Sequence, residues 1–503
     1  DDHPRFAWRG LSLDVSRHFI PPDGIKRVID GLAMVKLNVL HWHLSDDQGF
    51  RIESKRFPKL VEKGSDAQYY TQAEVRDLVA YARDRGVRVV PEFDIPGHST
   101  SWFPGYPSLA SGTGPYQIVR EPGVLTATMD PTRESTYRFL NTFIGEMAAL
   151  FPDRYFHIGG DEVSPKGEWA NNPHIAAFMK RHKLADFPAL QAYFNKRVLK
   201  IVQSHGKRME GWDEILHPDL PKSSVIQSWR GQKSLAQAAR EGYSGILSAG
   251  YYLDLMLPAS KHYLVDPLKD ETASLTDEEK KRVLGGEAAM WEELATMENI
   301  DVKLWPRLAA IAERFWSPED ITDVASMYQR LDATSHWLDV EGIDHLREIH
   351  TMQARLAGSF DPEPLAILAS ILEPMKNYSR HRMQNYSSIF PFNRLVDAIP
   401  PESVAARKFN DAVARGDLAY ARARLMEWKS NVDRVMPILE SNSLLTEDLA
   451  VAHAVSGVCS IGLDGHAADS TKLDDLAKPK AEMLIQIIPG VRKLVSGAAS
   501  NNP

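Results

Sequence analysis

One cysteine, Cys459, stands among 503 residues, which excludes an intrachain disulfide and a cysteine-rich zinc site. No apolar run reads as long enough to cross a bilayer, so no membrane span is expected. No charged-then-apolar leader opens the sequence. That leaves an intracellular protein or one whose leader has been removed. A periplasmic or secreted bacterial protein is expected over a cytoplasmic one, and many exported bacterial proteins lack disulfides. A net charge of −8 speaks against nucleic acid or an anionic membrane surface as the main partner. There is no internal repeat, no low-complexity segment and no G-x-G-x-x-G at a first strand–helix turn.

What is there is an ordinary globular composition, 43% hydrophobic and 25% charged, in a chain long enough for one large barrel and an appendage. Strand and helix signals alternate over residues 8–320. Strands are predicted at 10–15, 37–44, 87–93, 155–158, 208–212, 225–229, 245–248 and 284–290. A helix is predicted over 71–85, with Thr71 and Glu74 forming a capping box and Gly86 ending it. Further amphipathic helices are predicted near 188–204, 234–240 and 304–315. Eight strands separated by helices or long connections suit a (β/α)8 TIM barrel over residues 1–345, in preference to an open doubly wound sheet. Beyond 345 strand signals disappear, and helical periodicity at 365–372, 403–414, 418–436, 446–460 and 473–494 predicts an α-helical C-terminal domain over 346–503.

In such a barrel the active site lies at the C-terminal ends of the strands. Ionisable groups stand at nearly all of those ends: Asp46-Asp47, Asp94 with His98, Asp161-Glu162, Asp213-Glu214, Arg230, Asp254 and Glu292-Glu293. Arg9 precedes the first strand, and Asp14, Arg17 and Arg314 read as structural. The run His157-Ile158-Gly159-Gly160-Asp161-Glu162 stands out. Adjacent like charges after two glycines serve a strand interior badly, but at a pocket rim they offer two acids two different tasks. Trp212, Trp229 and Trp291, each near a strand end, suit a flat apolar lining for a ring-shaped ligand.

These motifs, with Arg9-Gly10, Leu13-Asp14-Val15-Ser16-Arg17, His41-Trp42-His43-Leu44-Ser45-Asp46-Asp47-Gln48, Pro96-Gly97-His98 and Tyr252-Leu253-Asp254, resemble glycoside hydrolase family 20, the β-N-acetylhexosaminidases, over roughly residues 5–320. The resemblance implies a retaining exo-acting enzyme that removes terminal β-linked N-acetylhexosamine from oligosaccharides or glycoconjugates, with the substrate's own 2-acetamido group as nucleophile. It implies no cofactor and no metal. It makes Glu162 the general acid/base and Asp161 the group that orients the acetamido nucleophile and stabilises its intermediate. Tyr252 would bind the acetamido oxygen. Trp212, Trp229 and Trp291 would wall the pocket. Arg9 would bind the 3- and 4-hydroxyls, and Asp254 and Glu293 the 4- and 6-hydroxyls. His98 with Asp46 or Asp47 would form a relay behind Glu162, while His157 reads as a packed strand residue. The oligomeric state is left open, a homodimer being admissible.

A glutamate of pKa ~4.3 is ionised at neutral pH, and raising it to ~6 takes about 2.3 kcal/mol, within reach of burial beside a charged neighbour. The pair is therefore expected to titrate as a unit and to give a mildly acidic optimum. Three rival readings stand beside this one. His41 and His43 share a strand face as a metal pair would, suggesting a metal-dependent barrel hydrolase. Glu287 or Asp254 as a nucleophile would make a double-displacement β-glycosidase. The third rival is a non-catalytic sugar-binding protein.

Overall fold

The computed structural model describes residues 2–465 and 471–499. Eight parallel strands close into a barrel: β1 (Trp8–Asp14), β2 (Val39–His43), β3 (Arg88–Glu92), β4 (Tyr155–His157), β5 (Arg208–Trp212), β6 (Val225–Ser228), β7 (Ser244–Leu247) and β8 (Val283–Met290). Each strand pairs with its sequence neighbours, and β8 returns to β1 from Trp8↔Gly285 to Leu13↔Met290. The predicted (β/α)8 barrel is the fold.

Period-2 alternation divides each strand between two environments. In β2, Leu40 and Trp42 face outward into the apolar layer under the helices, while Val39 joins Trp8, Val90, Tyr155, Val225 and Ile246 in an inner plug. Two residues further along several strands the inward positions turn polar, giving His41, Glu92, His157 and Gln227, all buried. The helix Gln72–Arg83 carries its capping box: the Thr71 side chain accepts from the Glu74 N–H, and Glu74 reaches back to the Thr71 N–H.

Several boundaries differ from the sequence expectation. β1 begins at Trp8, so Arg9 sits inside the strand near its N-terminal end. The helix expected over 304–315 is split into Ile300–Leu304 and Arg307–Trp316 around Pro306, which lacks an N–H. The single helix expected over 473–494 is Lys472–Leu476, then strand β10 (Met483–Ile485), then Ile488–Ala499, with Pro479 in the break. β10 pairs antiparallel with β9 (Leu372–Pro374), so strand structure does continue beyond residue 345. Residues 500–503, within the predicted helical region, lie outside the described residues.

Two large apolar clusters succeed one another along the chain. One includes Leu338 and Ile343; the next starts at Met352 and is built on helices such as Leu418–Ser441 and Leu449–Asp464. The stretch Ser443–Asp464 corrects one expectation, because its 22 residues, at mean hydropathy 1.3, are long and apolar enough by composition to cross a membrane. Half of its most apolar window is buried inside the protein, and it packs on Leu418–Ser441, as a core helix does.

Candidate active site

The strands' C-terminal ends open into a cavity of about 800 Å³, a size suited to a small-molecule ligand. Asp161 and Glu162 reach it through the turn after β4. Gly159 and Gly160 take φ of +66° and +89°, and a Cβ on Gly159 would fall 1.8 Å from Asp94 Oδ1, so only glycine fits there. Glu162 and His98 also have positive φ, +47° each, a left-handed conformation that costs a side-chain-bearing residue about 1–3 kcal/mol. The turn bends so tightly that both acids face His98.

His98 Nε2 lies 3.3 Å from Glu162 Oε2 and 3.9 Å from Asp161 Oδ2. Its Nδ1 lies 3.2 Å from Asp46 Oδ1 and 3.5 Å from Asp47 Oδ2. Asp46 is the nearer partner and also binds Arg17 Nη2 at 2.8 Å, whereas Asp47 accepts the Thr100 N–H at 2.9 Å. Burial alone would lower the His98 pKa, but the Asp46 charge and its hydrogen bond carry it well above the ordinary value. Asp161 is pushed up to about 6, first by burial, with the Glu92 and Glu162 charges adding. Asp94, unassigned in the sequence reading, is held well above the carboxylate range by burial and by the Asp161 charge. It accepts the Gly160 N–H at 3.1 Å and, protonated, donates to Asp161.

Beneath these acids runs a paired network. Glu287 Oε1 binds His41 Nδ1 at 2.7 Å and Gln227 at 2.8 Å, and Glu287 Oε2 accepts the Trp8 indole N–H at 2.8 Å. Glu92 lies 3.0 Å from His41 Nε2, 2.7 Å from His43 Nδ1 and 3.1 Å from His157 Nδ1. His43 Nε2 reaches Asp46 at 3.0 Å, so the contacts run unbroken from Glu287 to His98 and Glu162. Burial opposes charge on His43, yet Glu92 and Asp46 raise it to about 10; burial lowers His157. The His-x-His pair is thus committed to carboxylates. His41, Glu92 and His157 do bring candidate ligand atoms within 4.8 Å of one another, but these side chains already bind one another in a closed interior. Glu287 lies in the same interior and does not line the cavity, so a nucleophilic role for it is a correction.

Of the expected binding residues, Trp229, Tyr252, Asp254, Trp291 and Glu293 line the cavity with His98. Trp229 and Tyr252 are near-parallel at 6.4 Å between ring centres, and burial keeps the Tyr252 phenol protonated. Trp212 lies one layer lower, donating to Glu92 at 3.0 Å and packing 5.9 Å from Trp291. Arg9 is the clear correction. Its guanidinium binds Phe6 O at 2.7 Å and Lys36 O at 2.9 Å, packs on Trp316, and does not line the cavity. The arginine in the cavity is Arg17, placed over Trp291 and bonded to Asp46, Asp14 and Gln48. Its position after β1 was the available signal, since only residues past a strand reach the C-terminal face. Glu214, raised to about 8 by burial and the Asp161 charge, accepts the Trp229 indole N–H at 2.9 Å.

The sequence profile of the glycosyl hydrolase family 20 catalytic domain matches residues 6–319. The chain belongs to glycosyl hydrolase family 20. Family 20 relatives include the mouse β-hexosaminidase subunit beta, 40% identical over 341 residues, which are 66% of this chain and 62% of that one. The chain thus matches somewhat under two thirds of that relative's length. Among solved structures, Flavobacterium johnsoniae chitobiase superposes with a TM-score of 0.94 at 39% identity, covering 98% of this chain and 78% of that one. A Vibrio harveyi family 20 exo-β-N-acetylglucosaminidase gives a TM-score of 0.62 at 32% identity over 68% of this chain and 59% of its own.

Proposed function

We propose that this protein is a retaining exo-β-N-acetylhexosaminidase acting on oligosaccharides or glycoconjugates that end in β-linked N-acetylhexosamine. The observation that carries the reading is the unequal pair at the end of β4. Glu162 is partly open to the cavity, its side chain 35% exposed and 3.3 Å from His98, while Asp161 is buried beside Asp94. An open acid can exchange its proton with the leaving oxygen and then with water. A buried carboxylate whose nearest cationic group, His98, lies 3.9 Å away and is shared with other acids gains from a partner that develops positive charge.

In this mechanism Glu162 protonates the glycosidic oxygen as the bond to the anomeric carbon breaks. The acetamido carbonyl oxygen, aligned through its N–H by Asp161, attacks the same carbon from the opposite face and forms a cyclic oxazolinium ion. Glu162, now ionised, takes a proton from water. The water oxygen bonds to the anomeric carbon, the ring opens, and two inversions give retention. Holding the acetamido group in place makes the attack intramolecular, where gains of ~7–11 kcal/mol are available. Tyr252, protonated, donates to the acetamido oxygen, and Trp229 and Trp291 enclose the group. Arg17 takes the hydroxyl-binding task first expected of Arg9; three of its five N–H groups are engaged, which leaves two for substrate.

A panel of aryl β-glycosides tests the reading. Turnover of the N-acetylglucosaminide or N-acetylgalactosaminide, none of the glucoside, and inhibition by a thiazoline mimic of the oxazolinium are expected. Comparable turnover of the glucoside would sink acetamido participation and favour double displacement.

A further inference from the structure

The barrel does not enclose the cavity alone. Part of its wall comes from the segment 377–388, through Tyr378, His381 and residues 384–387, well past residue 319, where the family match ends. This segment is fixed on both sides of the mouth. The Asn377 N–H donates to Leu255 O at 3.2 Å beyond β7, and the Ser388 N–H donates to Arg120 O at 2.8 Å beyond β3. Between these ties, buried Arg380 binds Glu482 at 2.7 Å and Asp397 at 2.8 Å, and Arg394 binds the same Glu482 at 3.0 Å. A segment held at both ends and through a buried ion network is a rigid support, as a binding site needs.

Asn377 and Tyr378 take φ of +54° and +58°, which turns the Tyr378 ring to the cavity. Its hydroxyl donates to Asp254 Oδ2 at 2.5 Å. The other oxygen, Oδ1, is buried and makes no hydrogen bond of normal geometry among the described residues. The Asp254 carboxyl, part of the cavity lining, is therefore locked through one oxygen and has no side-chain partner on the other. Its electrostatic neighbours include Glu293, Tyr378, Arg307 and Tyr252, the last standing between Asp254 and Asp161, whereas Asp161 and Glu162 lie against His98. In a pyranose ring C1 and C4 lie across from each other. A sugar whose anomeric carbon meets Glu162 turns its C4 edge toward the Asp254 end.

We propose that Tyr378 is a specificity-determining positioning residue: it orients Asp254 so that Oδ1 accepts the 4-hydroxyl of the bound N-acetylhexosamine and reads its configuration. This rests on the function proposed above. Equatorial and axial hydroxyls leave C4 in different directions, and a fixed acceptor serves one of them. Sites built to hydrogen-bond a hydroxyl discriminate strongly, because a mismatch leaves a buried polar group unpaired.

The test compares wild type, Tyr378→Phe, Asp254→Ala and the double variant on aryl N-acetyl-β-glucosaminide and its C4 epimer, the galactosaminide. Tryptophan-fluorescence titration with each free sugar and a thermal melt accompany the kinetics. Tyr378→Phe, which removes one oxygen from a ring 40% exposed, is expected to melt as wild type does. It should raise KM for the preferred epimer about tenfold, change kcat less than threefold, and move the epimer ratio of kcat/KM at least fivefold toward unity. In the Asp254→Ala background it should add nothing. Unchanged kinetics, an equal loss for both epimers, or full additivity with Asp254→Ala would overturn the proposal. A wild type that binds these sugars but cleaves neither would overturn the catalytic reading alone, with the Kd ratios then deciding Tyr378. One that neither binds nor cleaves would overturn both.

Discussion

The barrel holds two sets of buried acids a few ångströms apart, and they are treated in opposite ways. In the interior, Glu92 and Glu287 are matched by His41, His43, Gln227 and indole N–H groups, and Glu92 is held well below the ordinary carboxylate range as burial is outweighed by His43, His157 and His41. At the cavity, Asp161, Asp94, Glu214 and Asp254 crowd against other acids, and burial pushes all four up even though His98 stands near the first two and Arg230 lies 3.6 Å from Glu214. Around Glu92 and Glu287 the interior is an internally compensated support; Glu210, an inward acid raised by burial and the Glu287 charge, is an exception. The cavity keeps acids poorly compensated until a ligand supplies hydroxyls, an amide N–H or developing positive charge. That is the pattern expected where stability is given up for function.

The contrast can be broken most sharply at Glu162. Glu162→Gln removes the exchangeable proton and is expected to lower kcat on aryl N-acetylhexosaminides by about 10²–10⁴-fold, with the melting temperature unchanged. A variant within threefold of wild type would remove Glu162 from the proton-transfer role.

The interior should answer in the opposite currency. Glu92→Gln leaves the imidazoliums of His41 and His43 without their shared carboxylate, and removing one partner of a buried pair costs about 3–5 kcal/mol. Denaturant unfolding measures this directly. The signs follow from the shifts. Glu92, lowered, contributes above about 4.5 and loses its contribution as pH falls below that. His43, raised to about 10, contributes fully below 6.5 and loses its contribution as pH climbs toward 10. A Glu92→Gln protein as stable as wild type at pH 6 would show that the network is not charged.

Asp161→Asn sharpens the comparison from the cavity side, since one change should damage activity and help the fold. The carboxyl titrates near 3.8 when unfolded and about 6 in place, so the folded chain holds the proton more tightly. Stability therefore falls as pH rises between those values, and the full penalty stands above 6. Asparagine escapes it. The variant is expected to be more stable by about 1–3 kcal/mol at pH 7, with the gain vanishing below about pH 4. The activity it retains should lack the acidic limb near pH 6 that is expected of the wild type. A variant less stable than wild type at pH 7 would mean that Asp161 is compensated in place.

The eight strands were legible because each is a short apolar run between helix or turn signals, and the paired glycines before Asp161-Glu162 marked the turn that presents both acids. The interior network was not. Glu92 meets His43 across 49 positions and His41 meets Glu287 across 246, and nothing local distinguishes a histidine that will meet a carboxylate from one packed in a strand. Asp94 was visible as a strand-end acid, but its proton depends on Asp161, 67 residues later. Tyr378 gave no signal at all, because its role comes from a helical region folding back over the cavity. Strand eight was placed within one residue, whereas the resemblance put the hydroxyl-binding task on Arg9, at the start of strand one, and not on Arg17, past its end.

That error supplies the smallest predicted effect and a control for the rest. Arg9, inside β1 near its start, and Arg17, just past its end, are both buried, but Arg9 binds two carbonyls near the barrel base while Arg17 stands over Trp291 in the cavity. Lysine keeps the charge and loses the planar fork that engages several acceptors at once. Arg17→Lys should therefore raise KM at least tenfold. Arg9→Lys should leave KM and kcat within twofold and lower stability by about 1 kcal/mol, the scale of one hydrogen bond made imperfectly. An Arg9→Lys protein with a raised KM and unaltered melting would return Arg9 to the substrate and reverse the assignment of the two ends of β1.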